Sequence, residues 1–317
     1  MNSIPMSTYR IQFQPRFTFF DCREILGYLA ELGISHIYAS PIFRARPGST
    51  HGYDVCSHSE IDPELGGQDA LEQLTTHRQR LGLGWIQDIV PNHMAVSGDN
   101  RMLVDVMENG PDSKYFYFFD IDWDHPDEGM NGRMLAPFLG KFFGETLLSG
   151  EIRLGYDEDG FFLRYYDLRL PLRLDSYVRV LTQDLRALRN KLGREHPDLI
   201  KLQGILYNIR TLYATETTEE RYAQISFIKR ILFELYQSSE AVREFLRSTV
   251  ERFNTHSAEG RSGGSDLLDD LLAEQFYRLS YWKVASDEIN YRRFFSINDL
   301  ISLRIEESTV FDHAHDL

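Results

Sequence analysis

His51-Gly52-Tyr53-Asp54 and Asp88-Ile89-Val90-Pro91-Asn92-His93 each belong to a short apolar run or to the loop that follows one, 34–39 for the first segment and 83–90 for the second. Both runs read as β-strands, and in parallel α/β barrels the chemistry sits where strands end. Upstream, residues 9–13 alternate like a strand, and 21–32 have helical periodicity with Asp21 as a plausible N-cap. A loop rich in Gly, Pro and His covers 40–67, a helix is expected at 68–81, and the 83–90 strand follows. Strands alternating with helices indicate a parallel sheet, and a loop this long at a strand's C-terminal end is usually functional. Both segments are therefore expected on one rim.

After His93 the alternation stops. Residues 95–174 are dense in Gly, Asp and aromatics, with short strand candidates at 152–156 and 161–165, and read as an irregular mixed insertion. From Asp175 the pattern turns helical: Val178, Leu181, Leu185, Leu188 and Leu192 make one stripe, and Leu199, Leu202, Leu206 and Ile209 a second. Thr217 with Glu220 predicts a capping box for a third helix reaching about Tyr236, and 239–253 predicts a fourth. Residues 254–265 read as a flexible linker within this helical insertion, which runs from 175 to 280, and 266–279 as a helix after it. Residues 1–94 form the first expected domain, and 281–317 return to it, closing on what looks like the first turns of a helix.

Composition narrows the function. Lys plus Arg number 34 against 48 Asp plus Glu, a net charge of −14, so a polyanion such as nucleic acid is repelled at long range. Two cysteines are too few for a disulfide framework. No stretch approaches the roughly 18 consecutive apolar residues that span a bilayer, and no signal-like segment opens the chain. The expectation is a cytoplasmic protein without membrane or nucleic-acid partners. Aromatics make up 13% of the residues, and their faces pack on the C–H faces of sugar rings as readily as on each other.

Asp88, Asn92 and His93 place a carboxylate, an amide and an imidazole within six residues. An amide and a neutral imidazole hydrogen-bond hydroxyl groups without adding charge. Each also has a structural reading: Asp88 pairs with an internal Arg, Asn92 holds a turn, His93 is a satisfied core histidine. Gly52 lets the backbone turn sharply, and Tyr53 either presents its ring to a ligand or packs inward to pin the loop.

Taken together, these residues resemble the α-amylase family of glycoside hydrolases. Within it, the wording of 7–13, 45–55, 88–96, Glu108-Asn109-Gly110-Pro111, 118–123 and 290–303 looks like that of the maltooligosyl trehalose synthases. The resemblance implies that Tyr53 stacks on the sugar in the reacting subsite, that His93 bonds a hydroxyl, and that Asn92 and Asp88 brace the pocket. Asp54 is a weaker substrate-binding candidate. Arg292 and Arg293 either bind hydroxyls near the reducing end or pair with acidic neighbours. His51, His58, Glu108 and Asp122 lie in similar wording without an assignable role.

Retaining chemistry on glucosidic bonds uses two carboxyl groups about 5 Å apart. The resemblance puts them on later barrel strands, so the nucleophile and acid/base are expected beyond Leu317 and no catalytic residue is assigned here. The expected fold is α/β, an incomplete (β/α)₈ TIM barrel supplying its first three strands, with a large mixed and helical insertion after strand three. Three of eight strands cannot close a barrel and leave two open edges. The implied activity converts the reducing-end α-1,4 linkage of a maltooligosaccharide to an α,α-1,1 linkage, needs no metal or cofactor, and requires the C-terminal half of the barrel as a partner. Two alternatives stand beside it: a catalytically empty glucan-binding or interaction protein, and a fragment of another hydrolase or phosphorylase of the same family.

Overall fold

The strand at residues 8–11 opens the computed structural model, which describes residues 4–212, 218–255 and 264–316. The chain is mixed α/β and divides into two compact units: 1–101 with 118–120 and 292–317, and 102–117 with 121–291. All seven candidate site residues belong to the first unit.

In that unit β1 (Thr8–Ile11) leads to α1 (Phe19–Glu31), then β2 (His36–Ala39), α2 (Gly67–Arg80) and β3 (Gly84–Gln87). The three strands are parallel in the order β1-β2-β3, with Arg10 beside Tyr38 and Tyr38 beside Ile86. Successive side chains alternate faces. One face, with Ile11, Ile37 and Ala39, joins Phe19, Cys22, Leu26 and Leu29 of α1 and Ala70 and Leu74 of α2 in a single apolar core. The other face carries Arg10, Tyr38 and Ile86. His36 fills that face beside Gly84, where a Cβ would come within 2.1 Å of the imidazole.

The N-cap of α1 is Thr18 rather than Asp21. Asp21 is the third helical residue and accepts from the Thr18 backbone N–H at 2.7 Å, completing a capping box. β3 is shorter than its apolar run, because Asp88 N–H makes the last sheet bond, to Ala39 at 3.0 Å. Residues 88–92 then leave the sheet, and β4 (His93–Ala95) pairs antiparallel with Leu300–Ser302.

In the second unit Ile152–Asp157, Gly160–Tyr165 and Leu168–Pro171 form an antiparallel meander. Met134–Leu139 pairs in parallel with Tyr277–Tyr281. That strand corrects the expected 266–279 helix, which ends at Leu272. The first helical stripe breaks into Tyr177–Thr182 and Leu185–Leu192, whereas Pro197–Thr211, Thr218–Ser238 and Glu240–Phe253 are continuous helices. Thr217 and most of the expected 254–265 linker lie outside the described residues. Asn254, inside that linker, has a structural role: its side-chain amide bonds both the N–H and the carbonyl of Leu154, at 2.8 and 2.9 Å. No described helix is long and apolar enough to cross a membrane.

Candidate functional site

The loop after β2 is long but tied down. Its strands of backbone meet at Phe43 with Ile61 and at Ala45 with Val55. The Asp62 carboxylate accepts from the Glu64 N–H at 2.8 Å and the Ala45 N–H at 3.1 Å. Burial pushes the Asp62 carboxyl up, and those two N–H groups oppose the shift. His58 donates from Nε2 to the Val90 carbonyl at 2.7 Å, joining this loop to the 88–93 segment.

At the loop's tip, Gly52 has φ 75°, and a Cβ there would lie 2.9 Å from the Pro41 carbonyl oxygen. Glycine is thus required both for the turn and for the close approach. The Asp54 carboxylate accepts from the Ser49 hydroxyl and sits 3.7 Å from His51 Nδ1. In this structure Asp54 buttresses the turn that presents Tyr53.

The Tyr53 hydroxyl donates to Asp88 Oδ2 at 2.6 Å and accepts from Arg10 Nη2 at 3.0 Å. Arg10 Nη1 also reaches Asp88 at 3.5 Å, and its guanidinium stands over the Tyr38 ring at 4.8 Å. These bonds come from β1, β2, the loop after β2 and the end of β3, so the strand ends do converge on one rim. The bond to Asp88, with partial burial, holds the Tyr53 hydroxyl above its usual range. Asp88 is therefore compensated within the described residues. Arg10 is its internal arginine, and the carboxylate keeps 20% exposure.

His93 is buried, and its Nε2–H donates to the Tyr53 carbonyl at 3.0 Å. Burial lowers its pKa, favouring the neutral ring. Nδ1 lies 2.8 Å from the side-chain oxygen of exposed Asn92. A neutral ring donating from Nε2 accepts at Nδ1, so turning the Asn92 amide half a revolution gives that atom a donor. The Phe294 ring stacks on the imidazole at 4.1 Å.

Of the seven expected residues, the structure joins Tyr53, Asp88, Asn92 and His93 through direct bonds, with Asp54 behind them. Arg292 pairs with Asp120 at 2.7 Å and approaches Glu306 at 3.7 Å. Arg293 donates to the Asn298 side chain. Arg10, Tyr38 and Phe294 were missed. Arg10 and Tyr38 share a face at paired positions, which strand alternation carries as a signal; nothing local in sequence points Phe294 at His93. Of the segments without an assigned role, Glu108 pairs with Lys229 inside the second unit, and Asp122 accepts from the Asp124 N–H at 3.2 Å. Among the described residues no cluster of three or more His, Cys, Asp or Glu is placed to hold a metal.

Residues 22–173 match the α-amylase catalytic domain. A putative maltooligosyl trehalose synthase of Mycobacterium tuberculosis is 42% identical over 174 residues, 53% of this chain and 21% of that protein. A solved glycosyltrehalose synthase superposes with a TM-score of 0.64 at 31% identity, over 98% of this chain and 31% of that one. The maltooligosyltrehalose synthase of Arthrobacter ramosus gives 0.61 at 28% identity, over 98% and 29%. The chain spans about a fifth of the length of the curated relatives it matches first and about three tenths of those solved structures. The class these findings point to is the α-amylase catalytic domain, which residues 22–173 resemble. The particular relatives are the maltooligosyl trehalose synthases, and the chain is homologous to their N-terminal portion.

Proposed function

We propose that the chain is the N-terminal part of an intramolecular transglucosylase that turns the reducing-end α-1,4 linkage of a maltooligosaccharide into an α,α-1,1 linkage. The observation that carries this reading is the Tyr53 wall: a ring fixed by Arg10 and Asp88 at its hydroxyl and by His93 at its carbonyl, on the C-terminal rim of a parallel sheet. Homology to the trehalose-forming enzymes along almost the whole chain supports the choice of reaction.

In this reading Tyr53 faces the glucose unit being transferred and exposed Asn92 bonds its hydroxyls. His93 holds the wall, and its Nδ1 reaches a hydroxyl by exchange for the Asn92 side chain. Asp88 keeps the Tyr53 ring oriented, and Asp54 keeps its turn. Arg292 and Arg293 shape the return segment through their pairs with Asp120 and Asn298. The nucleophile and the acid/base come from polypeptide that completes an eight-stranded barrel, and the β1 and β3 edges are where its remaining strands attach. Excluding water decides the outcome, since water in place of the sugar acceptor releases glucose. The carboxyl dyad carries the chemistry without metal or organic cofactor. The setting is cytoplasmic, with a maltooligosaccharide and the C-terminal barrel half as partners.

Incubation with maltohexaose, following reducing ends and free glucose together, tests this. The isolated chain leaves both unchanged, and the barrel completed with the remaining strands consumes reducing ends without releasing glucose. Consumption by the isolated chain contradicts the reading, as does stoichiometric glucose release by the completed barrel, which defines a hydrolase.

A further inference from the structure

Phe295 combines two features that folding alone disfavours. The residue is 82% exposed, and its φ is 53°, a left-handed backbone that bulky residues rarely adopt. The turn around it enforces that conformation. Phe294 N–H donates to the Leu300 carbonyl at 3.0 Å, Ile297 N–H to Phe294 at 3.1 Å, and Leu300 N–H to Ile297 at 3.2 Å. Val96 N–H donates to the Asp299 carbonyl at 2.8 Å, Arg46 lies 3.6 Å from the Asp299 carboxylate, and Arg293 bonds Asn298. Strain of this kind persists where surroundings over-determine it, and it clusters at functional positions.

The ring's neighbours indicate which function. Phe295 stands edge-on to Phe294 at 4.5 Å and 77°, Phe294 stacks on His93 at 4.1 Å, and His93 bonds the Tyr53 carbonyl at 3.0 Å. Phe295 is thus the outermost step of an aromatic stair that begins at the Tyr53 wall.

We propose that Phe295 is an aromatic platform for a glucose unit of the α-glucan chain, next to the unit that Tyr53 faces. The inference rests on the glucose-pocket reading above. A pyranose offers C–H groups on its faces and hydroxyls at its rim, so a rigidly held, solvent-facing ring gives area without ordering cost. Strain at residue 295 keeps the ring out of the core and available.

Saturation-transfer NMR titrations with maltohexaose on the 317-residue chain, paired with thermal unfolding, test it in the wild type, Tyr53→Ala, Phe295→Gly and Phe295→Trp. Phe295→Gly relieves the backbone and melts a few degrees higher, while its glucan affinity falls about tenfold. Phe295→Trp keeps the affinity within about twofold. Wild-type affinity in Phe295→Gly alongside loss in Tyr53→Ala overturns the platform and leaves the pocket reading standing. Lost affinity together with a lower melting temperature in Phe295→Gly also overturns it, because the turn is then structural. No transfer in the wild type, or unchanged binding in both Tyr53→Ala and Phe295→Gly, removes the pocket reading and this inference with it.

Discussion

Tyr53 is useful because its two ends are held by different chemistry. Its hydroxyl stands between a guanidinium and a carboxylate, and its carbonyl is fixed by a neutral imidazole. The neutrality of that imidazole has a consequence for stability. Burial lowers the pKa of both His93 and His58 from the ordinary 6.5. As pH falls through about 6.5 the unfolded chain takes up protons that the folded chain refuses. Their contribution is therefore fully present above that pH, falls as pH drops, and levels off below the folded-state values. His58→Gln is expected to flatten the dependence of the urea midpoint on pH between about 7 and 5, relative to wild type. Asp62 and Glu108, raised by burial, act with the opposite sign but cancel in that comparison. An identical pH slope in the variant contradicts the assignment. At this scale the types of most site residues were legible in sequence, whereas their partners were not. The Arg10 bond to Tyr53 spans 43 residues and the Tyr53 bond to Asp88 spans 35, distances at which local pattern carries no information.

Elements show the same division between local and distant information. β1, α1, β2 and α2 are readable because periodicity is local, although the α1 N-cap is Thr18, with the expected Asp21 three residues inside the helix. The parallel pair Met134–Leu139 with Tyr277–Tyr281 is not, since it joins Met134 to Tyr277 across most of the insertion. The second strand continues a leucine-rich helical pattern, and β3 is shorter than its apolar run because Ile89 and Val90 extend that run after the sheet bonding has ended. In the second unit, helix Arg101–Asn109 is clamped to helix Thr218–Ser238 by Glu108 with Lys229, whose side chains are 15% and 16% exposed. Tyr222 adds a hydroxyl bond to Asp105. Burial raises the Glu108 carboxyl, and Lys229 is what opposes that shift. Lys229→Met leaves the carboxylate buried without its cation and is expected to cost about 3–5 kcal/mol in urea unfolding. Adding Glu108→Gln is expected to recover much of it, since the stranded charge is then gone; a loss under about 1 kcal/mol in the single variant counts against a buried pair.

At the scale of the molecule, the first unit is a parallel sheet packed on one face by α1 and α2, with Arg10, Tyr38 and Asp88 toward the other side. Parallel sheets normally have both faces covered and their edges paired or closed. β1 and β3 each pair with β2 on one side, which is the arrangement expected of the opening strands of a larger barrel. The motifs that resemble the α-amylase family agree with homology to the maltooligosyl trehalose synthases. The account stands on one claim, that the ring of Tyr53 is a wall for glucose. A crystal structure of the chain with maltohexaose tests it most directly: the prediction is a glucose ring lying on Tyr53 with Asn92 at its hydroxyl rim, and a glucan bound away from Tyr53 would contradict it.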